Sequence, residues 1–130
     1  MNNTNGVEAP GLAMVDTAAL AVLLRSKVPI VVLDARSDEY DDGRRIPGAT
    51  RLSPDSSAYQ VDKAVGHKDT LTITYCSNLK CTASMKLHRH LKNLGYENVL
   101  EYPDGLAGWQ AAGYPVEQES QRQDSVSRRA

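Results

Sequence analysis

The first patterned stretch opens at Asp16 or Thr17, either of which can cap a helix running to about Ser26 with Leu20, Leu23 and Leu24 on one face. Pro29 stops any continuation, and residues 30–33 (IVVL) are wholly apolar. Such a run without alternation predicts a strand covered on both faces, as in a parallel sheet. Asp34 ends it. Residues 35–60 are rich in charge, Gly, Pro and Ser, so the span reads as a long functional or connecting loop with at most one helical turn. Residues 71–75 (LTITY) alternate as a strand does, and CSNLKCT follows as a loop. Ala83, Leu87, Leu91 and Leu94 then fall at helical spacing before Gly95. Residues 99–102 read as a third strand, 103–105 as a turn, and 106–112 as a short helix closed by Gly113 and Pro115. Helices alternating with short apolar strands predict a compact α/β layer fold with a parallel sheet.

The ends break this pattern. Residues 1–10 and 117–130 are polar and are expected to be poorly ordered, leaving residues 11–116 as the domain. A chain of 130 residues, 41% hydrophobic and 24% charged, fits one domain and excludes wholesale disorder. Fifteen basic against sixteen acidic residues leave a net charge of -1, so no nucleic-acid or anionic-membrane partner is expected. No stretch approaches the roughly 18 apolar residues of a membrane helix, and the first ten residues lack the form of a signal peptide. A cytoplasmic address is the expectation. With no Phe, the core must be built from Val, Ile, Leu and Ala with a few Tyr and Trp109.

Two cysteines, Cys76 and Cys81, are too few for a disulfide framework or a four-ligand zinc site. Cys76 follows a predicted buried strand and precedes a predicted helix, which is where open α/β sheets bind ligands. A loop running into a helix N-terminus offers unpaired N–H groups and a positive dipole end, both favourable to a thiolate and a neighbouring anion. Lys80, Lys86 and Arg89 can add positive potential. The competing reading is that Cys76 is a small buried residue at a strand end. His67, His88 and His90 receive no role, since His88 and His90 point to different helix faces and lack metal-site spacing. Trp109 is read as core.

In order along the chain, Leu33-Asp34-Ala35-Arg36-Ser37, GRRIPGA (43–49), Tyr75-Cys76, GYENV (95–99) and GLAGW (105–109) with AGYPV (112–116) resemble the motifs of the rhodanese family of sulfurtransferase domains. Arg45 stands where that family usually has His. The resemblance implies a three-layer rhodanese-like domain, a small parallel sheet flanked by helices on both faces. It also implies that Cys76 attacks the outer sulfur of thiosulfate, polysulfide or a similar sulfane donor and passes that sulfur from a persulfide to a thiol, a small-protein thiol or another nucleophile. Ser77, Asn78, Leu79, Lys80, Cys81 and Thr82 would then form the substrate-binding loop. No metal or organic cofactor is implied. Asp34 and Arg36 are read as supporting residues that hold the long loop at the strand end.

Two departures matter. The family's loop often carries Gly and then Arg after the cysteine, whereas Leu79 and Cys81 stand near those places here, so anion binding is weakened. Cys81 itself resembles a paired cysteine in one branch of the family. It can resolve a Cys76 persulfide, or it can point into the core beneath the helix, and the core-facing placement is the one expected. The absent arginine argues against a phosphatase. The alternatives that remain are a catalytically silent binding or sensing module and a thiol-redox enzyme of arsenate-reductase type using Cys76 and Cys81.

Overall fold

The computed structural model describes residues 13–118. Helix α1 (Thr17–Arg25) begins where the Asp16 carboxylate accepts the Ala19 N–H at 2.8 Å, satisfying one of the helix's orphan donors. Strand β1 (Ile30–Asp34) follows, then β2 (Arg44–Arg45), β3 (Thr50–Arg51), α2 (Ala58–Val65), β4 (Leu71–Tyr75), α3 (Ala83–Asn93), β5 (Val99–Tyr102), α4 (Gly105–Ala111) and β6 (Glu117–Gln118). The main sheet has the order β3-β1-β4-β5, and every pairing in it is parallel. Its register sets Asp34 opposite Tyr75, and Tyr75 opposite Tyr102, so the three side-chain-rich strand ends share one edge.

Strand alternation sends successive side chains to opposite faces. Val32, Ile73, Tyr75 and Tyr102 pack with Leu20 and Ala21 of α1 and with Leu106 and Trp109 of α4. Leu33 and Val99 pack on the other face with Val61 and Val65 of α2 and Leu87 and Leu91 of α3. The molecule is therefore an α/β three-layer domain with a parallel sheet covered on both faces. Tyrosines do the filling that Phe does elsewhere: Tyr75, Tyr96 and Tyr102 are all buried. Trp109 is core, stacked on Tyr114 with its indole N–H donated to the Pro115 carbonyl at 2.7 Å.

Under α3 the layer contains a carboxylate. Glu101 accepts the Thr74 hydroxyl at 2.7 Å and also the Ser84 hydroxyl, tying β4, β5 and α3 together. Burial pushes its pKa above the usual carboxylate range against the pull of those two hydroxyls.

The span expected to be loop contains more structure than its composition indicated. Helix α2 lies within and beyond it, opened by a capping box in which the Ser57 hydroxyl accepts the Gln60 N–H and the Gln60 side chain accepts the Ser57 N–H. Strands β2 and β3 are two residues each, too short to leave a periodic signal. The first two residues of the tail expected from residue 117 form β6, Glu117 and Gln118 pairing antiparallel with Arg45 and Arg44. Residues 1–10 and the rest of that tail lie outside the described residues.

Candidate active site

The C-terminal edge of β1 is organised by a buried carboxylate. Asp34 is fully buried and accepts the Arg36 guanidinium at 2.8–3.1 Å, the Arg45 guanidinium at 3.0 Å and the Tyr75 hydroxyl at 2.9 Å. Arg36 extends the network to Asp42 at 3.2 Å, and Arg45 extends it to Asp41 at 2.9 Å. Although partial burial pushes Asp41 the other way, Arg45, the Gly43 N–H and Arg51 hold its pKa below the usual range. Burial and the Asp34 charge together push the Tyr75 hydroxyl well above its ordinary range, so it remains a donor. These contacts fix residues 35–45 as one wall of a cavity.

Beside Tyr75, Cys76 leaves β4 with only 2% of its surface exposed. The loop it opens is pinned from below: the Leu106 N–H donates to the Cys76 carbonyl and the Ala107 N–H to the Ser77 carbonyl, both at 2.9 Å. Gly105 permits this approach. It adopts φ +67°, and a Cβ there would lie 2.6 Å from the Cys76 carbonyl oxygen and 2.8 Å from the Asn78 nitrogen. Further along, Asn78 turns the chain back, accepting the Lys80 N–H on its side chain at 2.9 Å and the Cys81 N–H on its carbonyl at 3.1 Å. Cys81 is thereby returned to Cys76, and the two are joined by a disulfide with Cα atoms 6.1 Å apart. The core-facing placement of Cys81 is thus corrected: the Asn78 turn directs its side chain along the loop.

A cavity of about 810 Å³ lies over this loop. Cys76, Ser77, Asn78, Lys80, Cys81 and Thr82 line it together with Ala35, Arg36, Asp38, Tyr40, Arg51, Asp55 and Lys86. Leu79 is the exception among the loop positions, 71% exposed and outside the lining. Arg89 is also outside it. Arg51 and the Ser53–Asp55 wall carried no sequence signal, because only the parallel pairing of β3 with β1 brings them here. Gly105 lay within the GLAGW segment, but its role as a seat for the loop depends on tertiary contact.

The cations of the cavity differ in availability. Arg36 is held by Asp34, and Arg51 by Asp38 at 2.7 Å and Asp41 at 3.3 Å. Lys80 and Lys86 have no carboxylate partner among the described residues. The N–H groups of Ser77, Asn78, Leu79 and Thr82 likewise form no hydrogen bond among the described residues. Loop donors, two unpaired ammonium groups and the N-terminal end of α3 all favour an anion beside the cysteines. Among the described residues no group of three His, Cys, Asp or Glu side chains is arranged to hold a metal ion.

A family model, the rhodanese-like domain, matches residues 17–112, which spans the whole sheet and its four helices. The chain belongs to the rhodanese-like domain family. Solved structures agree on the fold. The BH2092 protein of Bacillus halodurans superposes with a TM-score of 0.72 at 25% identity, covering 82% of this chain and 77% of that one. A thiosulfate sulfurtransferase from Pseudomonas aeruginosa gives 0.67 at 20% identity over 83% of this chain, which spans only 20% of that longer protein. A Rhodopseudomonas palustris protein of unknown function, described as a possible tyrosine phosphatase, gives 0.64 at 21% identity, covering 82% and 85% of the two chains. No curated protein matches the sequence. No helix among the described residues is long and apolar enough to cross a membrane.

Proposed function

We propose that this domain is a sulfurtransferase that carries sulfane sulfur as a persulfide on Cys76. The observation that carries the reading is the position of Cys76 on the cavity floor, at the end of a central parallel strand and among loop N–H groups with no hydrogen-bond partner among the described residues. In the reduced protein the Cys76 thiolate attacks the outer sulfur of thiosulfate, a polysulfide or a persulfide. The new S–S bond forms as the donor's bond to that sulfur breaks, and the leaving group is sulfite in the case of thiosulfate. The loop donors and Lys80 stabilise the thiolate on Cys76 Sγ and then the persulfide anion, whose charge sits on the outer sulfur one bond further into the cavity. A thiol or other nucleophile then takes the outer sulfur. Asp34 and Arg36 act through structure, holding the cavity wall against the loop.

The missing loop arginine has a specific consequence. Lys80 and Lys86 attract an anion as point charges and provide no bidentate grip, so sulfur-chain donors that need no oxyanion grip are favoured over the tetrahedral thiosulfate dianion. For the same reason a phosphatase reading has no support in this loop. The test is steady-state sulfur transfer to a small thiol after full reduction, with thiosulfate and polysulfide compared. Turnover that disappears in Cys76→Ser, with polysulfide the better donor, is the expected result. Equal turnover in Cys76→Ser would overturn the reading.

A further inference from the structure

Resting on that persulfide reading, we propose that Cys81 resolves the Cys76 persulfide, so that the domain releases the sulfur as sulfide and draws its electrons from an external dithiol. Three observations converge on this. The two cysteines are bonded to each other inside the cavity, so the Cys81 sulfur reaches the inner sulfur of a Cys76 persulfide. A Cα separation of 6.1 Å lies in the ordinary disulfide range, and no residue between the cysteines adopts a positive φ. The loop is built to make this return. Its Cys76 end is anchored to α4 through the Leu106 and Ala107 N–H groups, while Asn78 folds the other end back with two hydrogen bonds.

The chemistry closes without a metal or oxygen. The Cys81 thiolate attacks Cys76 Sγ, and the Sγ–Sγ bond forms as the bond from Cys76 Sγ to the outer sulfur breaks. The outer sulfur leaves with that electron pair and takes up the proton given up by the Cys81 thiol, departing as HS⁻. The sulfane sulfur has gained two electrons, and the two cysteines have lost two. One thiolate of the reductant then attacks the disulfide, and the second thiol resolves the mixed disulfide, returning both cysteines to the reduced state. Burial sets the direction of that attack. Cys76 is nearly fully buried, whereas Cys81 is only partly so, which makes Cys81 the accessible sulfur and Cys76 the leaving thiolate. Cys76 also has the surroundings suited to leaving, beneath the loop N–H groups that lack partners among the described residues. The cycle therefore requires an upstream source of sulfane sulfur and a dithiol–disulfide partner, and its product is sulfide.

The test uses reduced, desalted full-length chain under anaerobic conditions, with no added thiol. Wild type, Cys81→Ser and Cys76→Ser are each exposed to thiosulfate and, separately, to polysulfide. Sulfide release is measured in the thiosulfate arm and intact mass in both. Wild type is expected to end as the disulfide, two hydrogens lighter, with sulfide released, whereas Cys81→Ser retains one added sulfur and releases none. A stable persulfide on wild type as well as on Cys81→Ser would overturn the resolving role and leave the transferase reading standing. No added sulfur on Cys81→Ser from either donor would overturn both.

Discussion

At the residue scale the cavity depends on a side chain that does not line it. Asp34 neutralises two buried guanidiniums at once, and removing its charge leaves them facing each other in a buried setting. Asp34→Asn is therefore expected to cost about 3–5 kcal/mol of stability, the range for breaking a buried ion pair by removing one partner. Urea unfolding measures this directly, and a loss well below it would mean that Asp41 and Asp42 suffice to hold the arginines. His88 sets a pH dependence of its own. Burial, then the charges of Lys92 and Arg89, lowers its pKa to about 4 from an ordinary value of 6.5. The folded state thus resists a proton that the unfolded state accepts. The stabilising contribution is complete above pH 6.5 and is lost as pH falls toward 4. Unfolding experiments across that window are expected to show His88→Gln losing less stability than wild type. The cysteine pair shows where reading residues in order stops: a spacing of five says that Cys76 and Cys81 are near, but the hydrogen bonds of Asn78 decide which way Cys81 turns.

At the scale of elements, strands β1, β4 and β5 were legible as short apolar or β-branched runs, and helices α1, α3 and α4 because each buries a periodic apolar face: Leu20 with Leu24, Leu87 with Leu91, Leu106 with Trp109. Helix α2 was not, because only Val61 and Val65 mark its buried face and it follows a Ser- and Asp-rich stretch. Its one local signature was Ser57-x-x-Gln60, a capping box. Ser57→Ala is expected to cost about 1 kcal/mol through the lost cap, read as a shift in the unfolding midpoint. The contact between α4 and the cysteine loop makes a sharper prediction. Gly105→Ala adds a Cβ against the loop backbone at a positive φ and is expected to cost about 1–3 kcal/mol in backbone strain. It should also change the alkylation rate of reduced Cys76. Gly48→Ala is the comparison, since Gly48 has a positive φ but open space around it and should lose stability while leaving alkylation unchanged.

At the scale of the whole molecule, two apolar layers around a parallel sheet hold the fold, and the disulfide adds little. It closes a loop of five residues' separation, for which chain-entropy reasoning gives about 2 kcal/mol, against roughly 5–15 kcal/mol for a domain. Reduction is expected to lower the thermal midpoint by several degrees while the circular dichroism spectrum stays native. Unfolding on reduction would make the bond a structural staple and remove it from any catalytic cycle. The family was legible in the sequence through five short segments in order, and the fold followed from it. The cavity walls were not, because tertiary contacts place them: the pairing of β3 with β1 and the ion-pair network around Asp34.

The central claim is that Cys76 is the residue that accepts sulfur, and trapping it in the wild-type chain tests that most directly. Lys80 stands between the two cysteines, so tryptic cleavage after it puts Cys76 and Cys81 on separate peptides. Reduced protein is mixed briefly with polysulfide, quenched with an alkylating agent and mapped. The account predicts an alkylated persulfide on the Cys76 peptide and a simple alkylated thiol on the Cys81 peptide. Added sulfur confined to Cys81 would contradict it, as would simple alkylated thiols on both peptides with neither added sulfur nor a Cys76–Cys81 disulfide.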